Sequence, residues 1–183
     1  MGTSISQPSP KGTGEAGKSW KRIKDAVSSG AGPAEITKLT LQAYSAQFKN
    51  QFIDILSDVA VQIVQERCSA QLKSKVPIGQ FLIETRRELA SQNANSFLGE
   101  IALSSANEVL RTKESIGFAA VYLGKVVEYV ISRDLQQHLG SLGNPNLFTT
   151  QYLINSVRQD LQTRISKTET VKGAIQSIGL GEE

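Results

Sequence analysis

A glycine-rich string near the start of the chain has the spacing of a phosphate-binding loop. Gly12 and Gly17 are followed directly by Lys18 and Ser19, which fits G-x-x-x-x-G-K-[ST]. In a working loop, backbone N–H groups surround phosphate oxygens, the lysine binds the β- and γ-phosphates, and the serine binds magnesium. That geometry needs a buried strand before the loop, whereas residues 4–10 contain two prolines and no strand pattern. The sequence therefore favours a linker here, with a phosphate contact as the alternative.

A basic cluster surrounds the single tryptophan. Trp20 is flanked by four cations: Lys18, Lys21, Arg22 and Lys24. Such a cluster can hold a nucleic-acid backbone through its cations while the indole stacks on a base. The alternative is that Trp20 packs into the core and the cations form a solvated face. The sequence favours this alternative because residues 1–30 carry five basic and two acidic side chains while the rest of the chain is neutral.

Other side chains with catalytic or metal-binding chemistry are isolated from suitable partners. One cysteine, Cys68, and one histidine, His138, cannot form an internal disulfide or a zinc site made of protein ligands alone. Carboxylates on predicted helices lack the Glu-x-x-His pairs of di-metal bundles; these residues are Glu84, Glu88, Glu100, Glu108 and Glu128. We therefore expect ordinary structural roles for all of them, with no catalytic residue, no metal site and no cofactor.

The second residue offers a nucleophile that needs no side chain. The small Gly2 favours removal of Met1, which exposes an α-amine, and such amines ordinarily have a pKa of about 8. A neutral, nucleophilic fraction is then present at physiological pH. Residues 1–18 are rich in Gly, Ser and Pro, which predicts a flexible tail that another enzyme could thread into its active site. The same start fits the loose N-myristoylation pattern M-G-x-x-x-[ST], and an ordinary disordered start is a further alternative.

Length and composition exclude several classes of protein. A chain of 183 residues, 39% hydrophobic and 20% charged, is enough for one soluble domain with a core. No window reaches the roughly 18 uncharged apolar residues of a membrane span. The most apolar stretch, residues 116–131, contains Lys125 and Glu128, and no signal peptide precedes Pro8. We expect a cytoplasmic protein that does not enter the membrane.

Apolar residues recur with helical spacing along most of the chain. No alternating run bounded by turn residues indicates a strand. The expected fold is all-α, an irregular bundle of six to seven helices with a flexible N-terminal tail. The tail covers residues 1–18, the helical bundle domain residues 19–178, and a short C-terminal tail residues 179–183.

Breaks between helices are expected at several positions. Pro33 suits the start of the second helix, whose pattern either breaks near Asn50 or continues as one long helix. Pro77 and residues 92–95 mark the next boundaries, and Thr112 is expected to cap a following helix. That helix, over residues 116–135, is apolar around most of its circumference and is expected to be the most buried.

The start of the chain resembles a family of bacterial defence proteins. Met1-Gly2-Thr3-Ser4, followed by a Gly/Pro/Ser-rich stretch, resembles QatB, a component of the four-gene Qat anti-phage systems. The pattern of Trp20 to Val27 followed by Ser29-Gly30, and a late helix closing in residues 128–135, are also similar.

This resemblance implies a partner related to the QueC class of 7-deazaguanine synthases. Those enzymes activate a 7-carboxy-7-deazaguanine with ATP and let ammonia attack the acyl adenylate. With the Gly2 amine in place of ammonia, the product is an amide that joins the base to the protein. The chain is then a substrate and not an enzyme, with Gly2 as acceptor, Thr3 and Ser4 as recognition residues, and the helical body as docking module.

Two further expectations accompany this one. Other defence-system proteins are additional partners that the resemblance implies. The alternative function is a helical scaffold or adaptor that binds nucleic acid through its basic segment, namely Lys18, Lys21, Arg22 and Lys24.

Overall fold

The computed structural model describes residues 15–112, 116–140 and 147–178, with side chains over 21–112, 116–133 and 150–178. This described part is all-α, as expected, and contains no strand. It holds nine helices: α1 Glu15–Ser28, α2 Pro33–Ala43, α3 Ser45–Ser57, α4 Val59–Gln71, α5 Ile78–Ser91, α6 Phe97–Thr112, α7 Phe118–Gly140, α8 Leu147–Arg164 and α9 Val171–Ile178. The expected number, six to seven, is too low.

The additional helices arise from two breaks in the stretch that follows Pro33. α2 ends at Ala43, because the next residue, Tyr44, has a ψ of 27° and leaves the helical region. α4 begins after Asp58, an extended residue whose carboxylate accepts a hydrogen bond from the Val61 N–H at 3.1 Å. Asn50 lies inside α3, so the expected break near it is wrong, and so is the single long helix.

Several other helix boundaries lie where the sequence predicts them. Pro77 directly precedes α5, and Asn93, with a φ of 51°, follows its end. Thr112 is the exception, because it is the last residue of α6 and its hydroxyl donates to the Glu108 carbonyl at 2.9 Å. The expectation that Thr112 caps the next helix is therefore wrong. α1 begins at Glu15, earlier than the expected start at residue 19.

The chain divides into two compact units, and the divisions lie within α3, α7 and α8. The first unit comprises the described residues of 1–46 and 127–160. Within it, α1 packs on α2 and buries Ile23 and Ala26, while α2 buries Ile36. Other buried apolar residues of this unit include Leu41 and Tyr44, and six on α7 and α8: Val127, Val130, Ile131, Leu153, Ile154 and Val157.

The second unit comprises the described residues of 47–126 and 161–183. α4 packs against both α5 and α6. The approach to α6 is close, because a Cβ atom added to Gly99 would lie 2.6 Å from the Cβ of Ala60. α9 is attached to α4 at its first residue, where the Val171 N–H donates to Oε1 of Gln65 at 2.7 Å.

α7 is the helix that we expected to be the most buried, and its described part confirms that expectation. Nearly every side chain of α7 from Phe118 to Ile131 is buried. In the second unit, Tyr122 is fully buried, stacks on Phe118 with ring centroids 5.7 Å apart, and donates to the Leu98 carbonyl at 3.3 Å. These contacts join α7 to α6 through one aromatic side chain.

Four buried hydroxyl groups find their partners within their own helices. Each donates to the carbonyl four residues earlier, at 2.7 or 2.8 Å: Thr37 and Thr40 in α2, Thr85 in α5 and Ser105 in α6. Burial of these side chains therefore leaves none of the four hydroxyls unsatisfied.

Candidate functional site

The residues predicted to form the modification site lie outside the described part of the chain. Gly2 as acceptor, with Thr3 and Ser4 as recognition residues, stay predictions from the sequence. His138 lies in α7 and Trp20 in α1, but their side chains are also outside the described residues.

The phosphate-loop string is partly helical. α1 begins at Glu15, so Glu15 and Ala16 are helical although they stand between the two glycines of the pattern. A phosphate-binding loop needs these positions in open backbone whose N–H groups point at the ligand. Lys18 and Ser19 likewise lie inside α1, and residues 1–14, where a preceding strand would stand, lie outside the described part of the chain. The helical backbone at Glu15 and Ala16 therefore argues against a phosphate-binding loop, and residues 12–14 of the string lie outside the described part.

Three cations of the basic cluster are exposed on α1. Lys21, Arg22 and Lys24 face solvent, while Ile23 between them is buried. Lys18 is in the same helix, and its side chain lies outside the described residues. The exposed cations can contact phosphate groups, but Asp25 on the same helix is exposed too and reduces their net charge. The arrangement is a small basic face.

The five helical carboxylates all form ion pairs, as expected. Arg67 pairs with Glu84 and Glu88, and the remaining pairs are Arg86 with Glu100, Lys125 with Glu108, and Arg158 with Glu128. Among the described residues, no group of three or more His, Cys, Asp or Glu side chains is placed to hold a metal ion. The carboxylates therefore serve as charge partners on and between helices.

Among the described residues, the two titratable groups with a clearly shifted pKa are buried in the second unit. Burial raises the pKa of Cys68 from 9.0 to about 11, and Cys68 has no exposed surface. Burial, and secondarily the charge of Asp58, raises the pKa of Tyr122 well above its ordinary value of 10.0. Both groups stay protonated and neutral at physiological pH, so neither is an activated nucleophile.

Because burial raises the pKa of the Cys68 thiol, we expect the folded protein to lose stability in alkali. A folded-state pKa above the unfolded one contributes stability that is present below pH 9 and declines as the pH rises through 11. We expect wild type to lose about 2–3 kcal/mol more of its free energy of unfolding than Cys68→Ala between pH 8 and 12. Urea unfolding across this range tests it. Parallel pH profiles of the two proteins would contradict the prediction.

The sequence did not reveal a cavity of about 460 Å³ in the second unit. Buried Val109 and Leu110, at the end of α6, form part of its lining, and Leu72 and Val76 stand exposed beside them. Lys75 and Lys167 contribute two exposed ammonium groups. We call this cavity the two-lysine groove and define it by Leu72, Lys75, Val76, Val109, Leu110 and Lys167. The only indication of this groove in the sequence is a pair of apolar residues, Leu72 and Val76, in the polar stretch before Pro77.

Local hydrogen bonds and one close backbone approach shape the two-lysine groove. The side-chain amide of Gln71 donates to the Val76 carbonyl, and the Val76 N–H donates to Oγ of Ser74 at 3.1 Å. These bonds fold residues 72–77 back towards the end of α4. On another wall, a Cβ atom added to Gly117 would lie 2.7 Å from the Lys167 carbonyl oxygen. Only glycine permits that approach.

The described helices include none that is both long and apolar enough to cross a membrane. Comparison of the chain with protein-family profiles, with curated proteins and with solved structures finds no match.

Proposed function

We propose that the protein is a non-enzymatic component of a bacterial anti-phage defence system, and that its Gly2 amine is conjugated to a 7-deazaguanine. The observation that carries this proposal is the Met1-Gly2-Thr3-Ser4 start ahead of a Gly/Ser/Pro-rich stretch and a helical body. The paired carboxylates and the buried, protonated Cys68 of the described part support a passive role for that body.

The chemistry is supplied by a QueC-like, ATP-dependent partner. The carboxylate of 7-carboxy-7-deazaguanine attacks the α-phosphate of ATP, which gives an acyl adenylate and releases pyrophosphate. The neutral Gly2 amine then attacks the acyl carbon, AMP leaves, and the nitrogen loses a proton as the amide forms. Gly2 suits this step because it has no side chain to obstruct the acyl group. Thr3 and Ser4 bind beside the reacting amine, and the helical body docks on the partner.

The test is the intact mass of the protein after expression with its genomic neighbours, followed by fragmentation of the N-terminal peptide. We expect loss of Met1 and one deazaguanine acyl group on Gly2. Gly2→Pro and Gly2→Ala are expected to abolish the adduct without changing the helical circular dichroism spectrum. Gly12→Ala, in the same glycine-rich stretch, is the matched control and is expected to keep it.

Three outcomes would overturn the proposal. Full modification of Gly2→Pro would place the adduct elsewhere. A bare Gly2 or a retained Met1, with the neighbouring enzymes active, would remove the conjugation. A fatty-acyl mass on Gly2 would indicate a membrane anchor.

The second candidate is a helical scaffold or adaptor that binds nucleic acid. The exposure of Lys21, Arg22 and Lys24 on one helix favours it. Lys18 belongs to the same segment. A bare Gly2 in the mass measurement, together with salt-dependent binding of DNA or RNA, would make this the better description.

A further inference from the structure

The two-lysine groove combines apolar surface with positive charge that nothing in the described chain neutralises. Val109 and Leu110 are buried, whereas Leu72 is 61% and Val76 37% exposed. None of the described residues that line the cavity is acidic. Among the described residues, neither Lys75 nor Lys167 takes part in an ion pair.

Among the described residues of the second unit, some cations are paired, whereas others, such as Lys73, are exposed without an ion pair as Lys75 and Lys167 are. Arg67, Arg86 and Lys125 each have a carboxylate partner there. Two cations left without partners beside exposed leucine and valine side chains favour an occupant that brings both carboxylates and apolar groups. The occupant would cover Leu72 and Val76 and supply the missing negative charges.

We propose that the two-lysine groove binds an extended segment of a partner protein in which apolar side chains are flanked by carboxylates. A volume of about 460 Å³ is within the size range of ligand sites. Small-molecule sites, however, enclose most of their ligand, whereas Leu72, Lys75 and Lys167 leave one side of this groove open to solvent. An extended peptide suits such an open groove, because it places alternate side chains on the apolar surface and leaves the others in water.

The occupant binds independently of the conjugation at Gly2. All residues of the groove belong to the second unit, and none belongs to the N-terminal stretch that carries the acceptor. Failure of the Gly2 modification would therefore leave this proposal standing, and loss of peptide binding would leave the Gly2 proposal standing.

The test uses the full chain and a fluorescent peptide with blocked termini, in which two leucines are flanked on each side by two glutamates. One control peptide has serine for leucine, and the other has lysine for glutamate. By fluorescence anisotropy, we expect the acidic leucine peptide to bind at least about tenfold more tightly than either control.

The variant Lys75→Glu/Lys167→Glu is expected to weaken binding by about tenfold or more, because it removes two attractions and adds two repulsions. Both side chains are exposed, so the thermal unfolding midpoint should not fall. Lys73→Glu is the matched control, since Lys73 is an exposed neighbour that does not line the groove. Leu72→Ser removes apolar surface without changing charge and is expected to weaken binding too.

Chemical shifts of the Val109 and Leu110 methyl groups locate the peptide, and we expect both to move on binding. The proposal is overturned if the lysine peptide binds as tightly as the acidic one, or if the double lysine variant keeps full affinity. It is also overturned if no binding is detected at millimolar peptide. Self-association of the chain that the double variant abolishes would assign the groove to a second copy instead.

Discussion

Tyr122→Ala is expected to lower the free energy of unfolding by about 3–5 kcal/mol. Tyr122 is fully buried and stacks on Phe118, so truncation leaves a cavity where α7 meets α6 in the second unit. Domains of this kind have a total stability of about 5–15 kcal/mol, so the loss takes a large share of it. Urea unfolding at pH 7, followed by circular dichroism, measures the difference.

Tyr122→Phe is the matched control for this effect. It keeps the stacked ring and removes only the hydroxyl that donates to the Leu98 carbonyl. The expected cost is about 1 kcal/mol, the net contribution of one hydrogen bond. Because burial raises the pKa of Tyr122, the phenol also stabilises the folded state below pH 10, and that contribution is lost above it. Equal losses in the Phe and Ala variants at pH 7 would show that packing of the ring contributes little.

Gly99→Ala is expected to destabilise the protein by about 1–3 kcal/mol, although alanine is the better helix former. The new Cβ atom would lie 2.6 Å from the Cβ of Ala60, which forces α4 and α6 apart. Ser96, whose Oγ lies 3.0 Å from the same point, is a smaller obstacle because its side chain can rotate. Thermal unfolding and urea unfolding of the variant both measure the loss.

Two further variants separate this steric effect from helix propensity. Gly79 in α5 has open space around its added Cβ, so Gly79→Ala is expected to stabilise by about 0.4–1 kcal/mol. Ala60→Gly combined with Gly99→Ala restores the space, so the two changes together should cost less than their sum. If Gly99→Ala stabilises the protein as Gly79→Ala is expected to, the close approach of α4 and α6 does not limit packing.

The sequence predicted the helical class and the buried faces because both follow from the spacing of apolar residues. Pro77 and residues 92–95 were also predictable, because their backbone preferences act locally. The helix breaks at Tyr44 and Asp58 were not predictable from the sequence. Asp54 lies inside α3 whereas Asp58 caps α4, and the residue type is the same in both. Residue type alone therefore does not decide which of two such residues caps a helix.

The candidate sites differ in what the sequence could reveal. The proposed acceptor Gly2 depends on residue type and position, so it was accessible to sequence reasoning alone. The two-lysine groove depends on distant parts of the chain meeting: the end of α4, the end of α6 and Lys167. No local pattern encodes that meeting, although Leu72 and Val76 are unusual in a polar stretch.

The buried hydroxyls have a consequence for how this fold can change over time. Thr37, Thr40 and Thr85 each satisfy their hydrogen-bonding needs inside one turn of their own helix. Exchange for valine, which has nearly the same shape, removes a donor whose acceptor carbonyl keeps its backbone bond, so such an exchange costs little. These interior positions therefore do not encode which helix lies opposite. The core can therefore change between threonine and valine there without disturbing the hydrogen bonds and ion pairs that join one helix to another.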